Sequence, residues 1–119
     1  MGGSNWAVIN LAGEIDLARA YELTQVLGKE WHPTQNLLID LSAVTFMDSA
    51  GVRWLFASRR QVTMAGREMR LIVSEGGPVE QLLAIAGVET AFIIYRNLDK
   101  ALEQIATRSF RSWVGRART

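Results

Sequence analysis

The chain has 119 residues, the size of one ordinary domain with a single core. An apolar fraction of 49% and a charged fraction of 21% exclude a disordered chain, and a formal net charge of +1 argues against direct DNA binding. The absence of cysteine removes disulfides, zinc–thiolate sites and thiol nucleophiles, and is compatible with a reducing cytoplasm.

In chain order, residues 1–4 (Met-Gly-Gly-Ser) read as a flexible N-terminus without the charged and apolar regions of a signal peptide. Residues 6–12, with Trp6, Val8 and Ile9, form a β-rich apolar run that Gly13 ends. Asp16 can cap a helix over 17–29, whose apolar positions Ala20, Leu23, Val26 and Leu27 fall at helical spacing. Trp31-His32-Pro33 breaks that helix, because the residue before proline is pushed out of the α region. Residues 36–41 hold Leu37, Leu38 and Ile39 in continuous order, as in a central strand covered on both faces. A loop over 42–48 then leads to a helix over 49–65, buried through Val52, Leu55, Phe56 and Val62 and stopped by Gly66.

Residues 69–73 read as the next buried strand. Gly76-Gly77-Pro78 turns the chain into a helix over 79–86, closed by Gly87. Residues 91–95 form a last strand, and Asn97 or Asp99 starts a final helix to about 106. Strands alternating with helices predict an α/β fold with a mostly parallel sheet of four strands, five at most. The body is expected over 5–107, with a basic tail of uncertain order over 108–119. The last acidic residue is Glu103, and Arg108, Arg111, Arg116 and Arg118 follow it, leaving the body mildly acidic. With Phe110 and Trp113, that tail could meet anionic lipid, nucleic acid or a second copy in a weak homo-oligomer, although a frayed terminus is the commoner outcome.

Enzyme chemistry has little to draw on. The single histidine, His32, precedes a proline in an expected loop and reads as a surface residue. No metal-ligand spacing occurs, and Gly76-Gly77 lacks the remaining residues of a dinucleotide or phosphate loop. No apolar run approaches the roughly 18–20 residues that a membrane span needs. No cofactor is expected. One segment stands out, Thr45-Phe46-Met47-Asp48-Ser49-Ala50-Gly51-Val52, because it brings Asp48 and Ser49 to the start of a helix beyond the end of a buried strand. Taken alone, Ser49 reads as an N-cap.

Residues 39–52, running from Ile39-Asp40-Leu41 to Asp48-Ser49-Ala50-Gly51-Val52, resemble the central signature of STAS domains, the family of the anti-sigma factor antagonists. Gly13-Glu14-Ile15-Asp16 resembles that family's turn after an early strand, and residues 66–73 with 79–87 resemble its later glycine, strand, helix and glycine. The likeness runs from about Val8 to Ala106. It implies a STAS-type fold and a bacterial, cytoplasmic regulator of transcription that is not an enzyme. Such a protein binds an anti-sigma factor serine kinase when unphosphorylated and releases it when phosphorylated. It also implies that Ser49 is the phosphate acceptor, with Asp16, Asp48 and Gly51 close to it. A metal-dependent serine/threonine phosphatase would remove the phosphate. The same fold-level likeness extends to structural STAS subunits of stress-sensing complexes and of lipid-transport ATPases.

Two departures from the family pattern carry expectations of their own. Only five residues precede Trp6, so the family's additional edge strand is absent or truncated. After Gly51-Val52, where the family often has a small residue, this chain has Arg53 and Trp54, beside the surface offered to the kinase. Trp54 lies off the face set by Val52, Leu55 and Phe56. It reads either as an exposed partner anchor or as a side chain packed on a neighbouring helix.

Overall fold

The structure is a computed structural model that describes residues 5–105, together with the backbone of 109–116. Five parallel strands form one sheet in the order β4-β3-β2-β1-β5. In sequence the elements are β1 (Asn5–Ile15), α1 (Leu17–Glu30), β2 (Asn36–Met47), α2 (Ser49–Met64), β3 (Met69–Ile72), α3 (Pro78–Ala86), a turn of 3-10 helix (Glu89–Ala91), β4 (Ile93–Tyr95), α4 (Leu98–Gln104) and β5 (Ser109–Arg116). The α/β alternation expected from the sequence is the one observed.

Alternation along the strands separates two apolar layers. Ala7, Ile9 and Leu11 of β1 and Leu37, Ile39 and Leu41 of β2 join the main core with Leu23, Leu27, Leu55, Val62 and Leu83 from α1, α2 and α3. Trp6, Val8, Leu38 and Ile72 point the other way and pack with Ala101 and Ile105 around α4. Because both faces of β2 are covered, Leu37, Leu38 and Ile39 are all buried, which is why this segment reads as an unbroken apolar run. On the α4 side Arg70 stands over the Trp6 ring, 5.3 Å from its centroid, and donates to the Tyr95 hydroxyl at 2.7 Å and to Glu68 at 3.0 Å. Burial acts to lower the Arg70 pKa, but the bonds to Glu68 and Tyr95 hold it above its ordinary value.

Two local expectations change. Residues 42–47, expected as a loop, continue β2, and β1 passes Gly13 to end at Ile15. The pairing shifts register twice, between the pairs Asn10↔Asp40 and Ala12↔Ala43 and between Gly13↔Val44 and Glu14↔Phe46, each time adding one residue on β2. These bulges interrupt the period of two, so the burial pattern of β2 stops alternating where the sequence stops looking like a strand. Gly13 sits at the second shift with φ 83°, a conformation glycine adopts without steric cost. At the other end of the chain, residues 109–116 of the basic segment pair with β1 from Asn5↔Ser109 to Ala12↔Arg116. The edge of β1 is thus covered by a strand from the C-terminal segment. The expectation for residues 1–4, and those resting on the side chains of 106–119, lie outside the described residues.

Candidate functional site

The C-terminal ends of β1 and β2 lie side by side, with Ile15 paired to Met47. Each strand passes through one aspartate into a helix. Asp16 (φ −107°, ψ −170°) caps α1 by accepting from Arg19 N at 3.0 Å. Asp48 (φ −109°, ψ −170°) caps α2 by accepting from Ala50 N at 2.9 Å and Gly51 N at 3.4 Å. A bond from Asp48 N to Ile15 O, 3.3 Å, ties the two turns together. Both caps are half-buried and work through local hydrogen bonds, the usual role of aspartate at this position.

Since Asp48 is the cap, Ser49 falls one residue later, as the first residue of α2. It is exposed, and the N-cap role that the sequence alone allowed for its hydroxyl belongs to its neighbour. Gly51 has a separate reason to be glycine. A Cβ built there would lie 2.4 Å from Met47 Cγ, 3.0 Å from Met47 Sδ and 3.2 Å from Ile15 Cγ2. The first turn of α2 therefore rests directly on the ends of both central strands, and Ser49 stands on a rigidly seated helix start.

Arg53 is exposed one turn beyond Ser49 and lines a shallow groove of about 270 Å³ between α1 and α2. Trp54 corrects the reading of an exposed anchor. Its side chain is only 4% exposed and belongs to the main core, so it packs between the helices and forms part of the groove wall. The indole Nε1 of Trp54 and the hydroxyl of Ser58, one turn apart, are buried without a hydrogen-bond partner among the described residues. On the far side of the groove, Leu17 and Tyr21 of α1 are 70% and 69% exposed. Sequence reasoning did not single them out, although their spacing of four residues, off the buried face marked by Ala20, Leu23 and Leu27, was the available signal.

Chemically, the arrangement offers a hydroxyl at a helix N-terminus, two helix-capping carboxylates and an apolar groove with one cationic lip. The turn bearing His32 follows the C-terminus of α1, at the opposite end of that helix from Ser49. Among the described residues no group of three or more His, Asp or Glu side chains could hold a metal ion. Nor, among them, is any helix long and apolar enough to cross a membrane.

Comparison with known proteins agrees on the family. Residues 3–101 match the model of the STAS domain. The chain is 32% identical over 99 residues to the anti-sigma-F factor antagonist RsfB of Mycobacterium tuberculosis, in strains CDC 1551 and H37Rv, covering 81% of this chain and 78% of the relative. Among solved structures, the STAS domain of a SulP transporter from Vibrio cholerae superposes with a TM-score of 0.64 at 26% identity, covering 84% of this chain and 80% of that one.

Proposed function

Because this chain belongs to the STAS domain family, we propose that it is a non-catalytic anti-sigma factor antagonist acting in the cytoplasm, released from its partner by phosphorylation of Ser49. Its partners on this reading are an anti-sigma factor serine kinase, which binds the unmodified form, and a metal-dependent phosphatase, which restores it. The observation that carries the proposal is the exposed Ser49 hydroxyl, relieved of capping by Asp48 at the mouth of α2.

The switch needs no change of fold. Phosphate adds about −1.5 to −2 charges and three acceptor oxygens. At the start of α2 that charge meets the positive end of the helix dipole, so the helix tolerates it. A partner closing over the same surface has to accommodate a dianion beside Asp48 and Asp16. Like charges in a desolvated interface cost several kcal/mol. About 4 kcal/mol corresponds to a thousandfold loss of affinity.

The test is calorimetry against the anti-sigma factor recovered with the protein from its native host, with peptide mapping of the modified residue. Ser49→Ala should bind and never switch off, Ser49→Asp should bind more weakly, and phosphate should map to Ser49. Equal binding by wild type and both variants, or phosphate on another residue, would overturn the reading. The likeness to a SulP transporter domain favours one second reading, a bracing module in a membrane transport assembly. Co-purification with a membrane transporter, in place of an anti-sigma factor, would select it.

A further inference from the structure

Some cations near the helices of this protein have an acidic neighbour. Arg19 pairs with Glu22, Arg96 with Glu80, and Lys100 with Glu103. The Arg53 side chain has no ion pair or hydrogen bond among the described residues. Its position makes this notable. It stands in the second turn of α2, whose cap carboxylate, Asp48, is engaged by the backbone at Ala50 N and Gly51 N, and the first turn itself holds no acidic residue to pair with it. Four residues earlier on the same face is Ser49, also exposed. Side chains at this spacing have Cβ atoms about 5–6 Å apart, within reach of a long arginine.

We propose that Arg53 is the in-chain counterion of phosphate on Ser49, and that phosphorylation draws its guanidinium from the α1–α2 groove to the start of α2. The inference rests on Ser49 being the modified residue. Guanidinium presents a planar fork of donors that matches two phosphate oxygens, and a dianion at Ser49 gives the Arg53 side chain an anionic partner one turn away. The unmodified protein keeps this cation on the lip of the groove, beside Trp54 and across from Tyr21. The phosphorylated protein loses it there. One modification therefore adds negative charge at the helix mouth and withdraws positive charge from the neighbouring groove, and both changes oppose a partner that presents a carboxylate to Arg53.

The experiment uses full-length protein with phosphoserine installed at position 49 during synthesis, so that it does not depend on any kinase. The second phosphate pKa is read by phosphorus NMR in the otherwise wild-type protein and in Arg53→Gln. Asp48, Asp16, Arg19 and the helix dipole act on the phosphate equally in both. Wild type should titrate about 0.3 unit lower than Arg53→Gln, the size expected of one exposed pair at this spacing. The Arg53 Nε–H resonance should shift along the same titration curve. Identical pKa values, or an Arg53 resonance that ignores the phosphate, would overturn the pairing without bearing on whether Ser49 is phosphorylated in the cell. Conversely, phosphate mapping elsewhere in the native protein would remove the regulatory reading and leave a measured pairing intact. Arg53 is exposed, so the unmodified variant should melt with wild type and the comparison is one of equally folded proteins.

Discussion

Replacing Gly51 with alanine sets two effects against each other. Alanine is the better helix former by up to about 1 kcal/mol, and less in a first turn. The added methyl group, however, would lie 2.4 Å from Met47 Cγ and 3.2 Å from Ile15 Cγ2. The near carbon is not the free end of a side chain, so Met47 must leave its rotamer or α2 must lift from the sheet. Overpacking of this kind costs about 1–3 kcal/mol. The net expectation is a loss of about 1–2 kcal/mol, seen in urea as a midpoint lower by about 0.5–1 M at unchanged slope. In a thermal scan it is a fall of several degrees, at about 4 °C per kcal/mol. Shortening Met47 to alanine is destabilising alone, but in the Gly51→Ala background it removes the clash, so the double-mutant cycle should show favourable coupling. If Gly51→Ala matched or exceeded wild type, the close seating of α2 on β1 and β2 would be refuted. With it would go the argument that Ser49 is held rigidly.

Other substitutions test neighbouring claims. Asp48→Ala should lose about 1 kcal/mol of stability through its two cap bonds, while Asp48→Asn should retain most of it, as chemical denaturation can show. Trp54→Ala should cost about 3–5 kcal/mol, the penalty for emptying a core site, and an unchanged melting temperature would revive the exposed-anchor reading. Ser58→Ala removes a buried hydroxyl that bonds to nothing among the described residues, so the variant should be as stable as wild type or gain up to about 1 kcal/mol. Tyr95→Phe takes one of two side-chain acceptors from the partly buried Arg70 and should cost about 1–2 kcal/mol in the same assay.

The features legible in the sequence are those decided by neighbours along the chain. Asp16 was recognisable as a helix cap because a cap bonds to residues two or three ahead of it, and the order of strands and helices followed from apolar spacing within each segment. The segment around Ser49 stood out for the same reason, since a buried run, a short polar stretch and a helix start are all local. Whether Asp48 or Ser49 made the cap turned on one residue of backbone conformation, which only the structure resolves.

The rest depended on what the folded chain brings across from far away. Trp54 lies off the core face of its own helix, which left an exposed anchor and packing on a neighbouring helix both open, and only the packing of α1 against that face decides for burial. Residues 42–47 lack strand periodicity because two bulges against β1 break it, and a bulge exists only where a partner strand defines the register. Nothing local predicted that 109–116 would take the edge beside β1, since strand pairing is fixed by hydrogen bonds between segments roughly a hundred residues apart. Gly51 is the clearest case. The sequence marks it as part of a motif, but its physical reason lies in the side chains of Met47 and Ile15, which only the packed sheet sets beneath it.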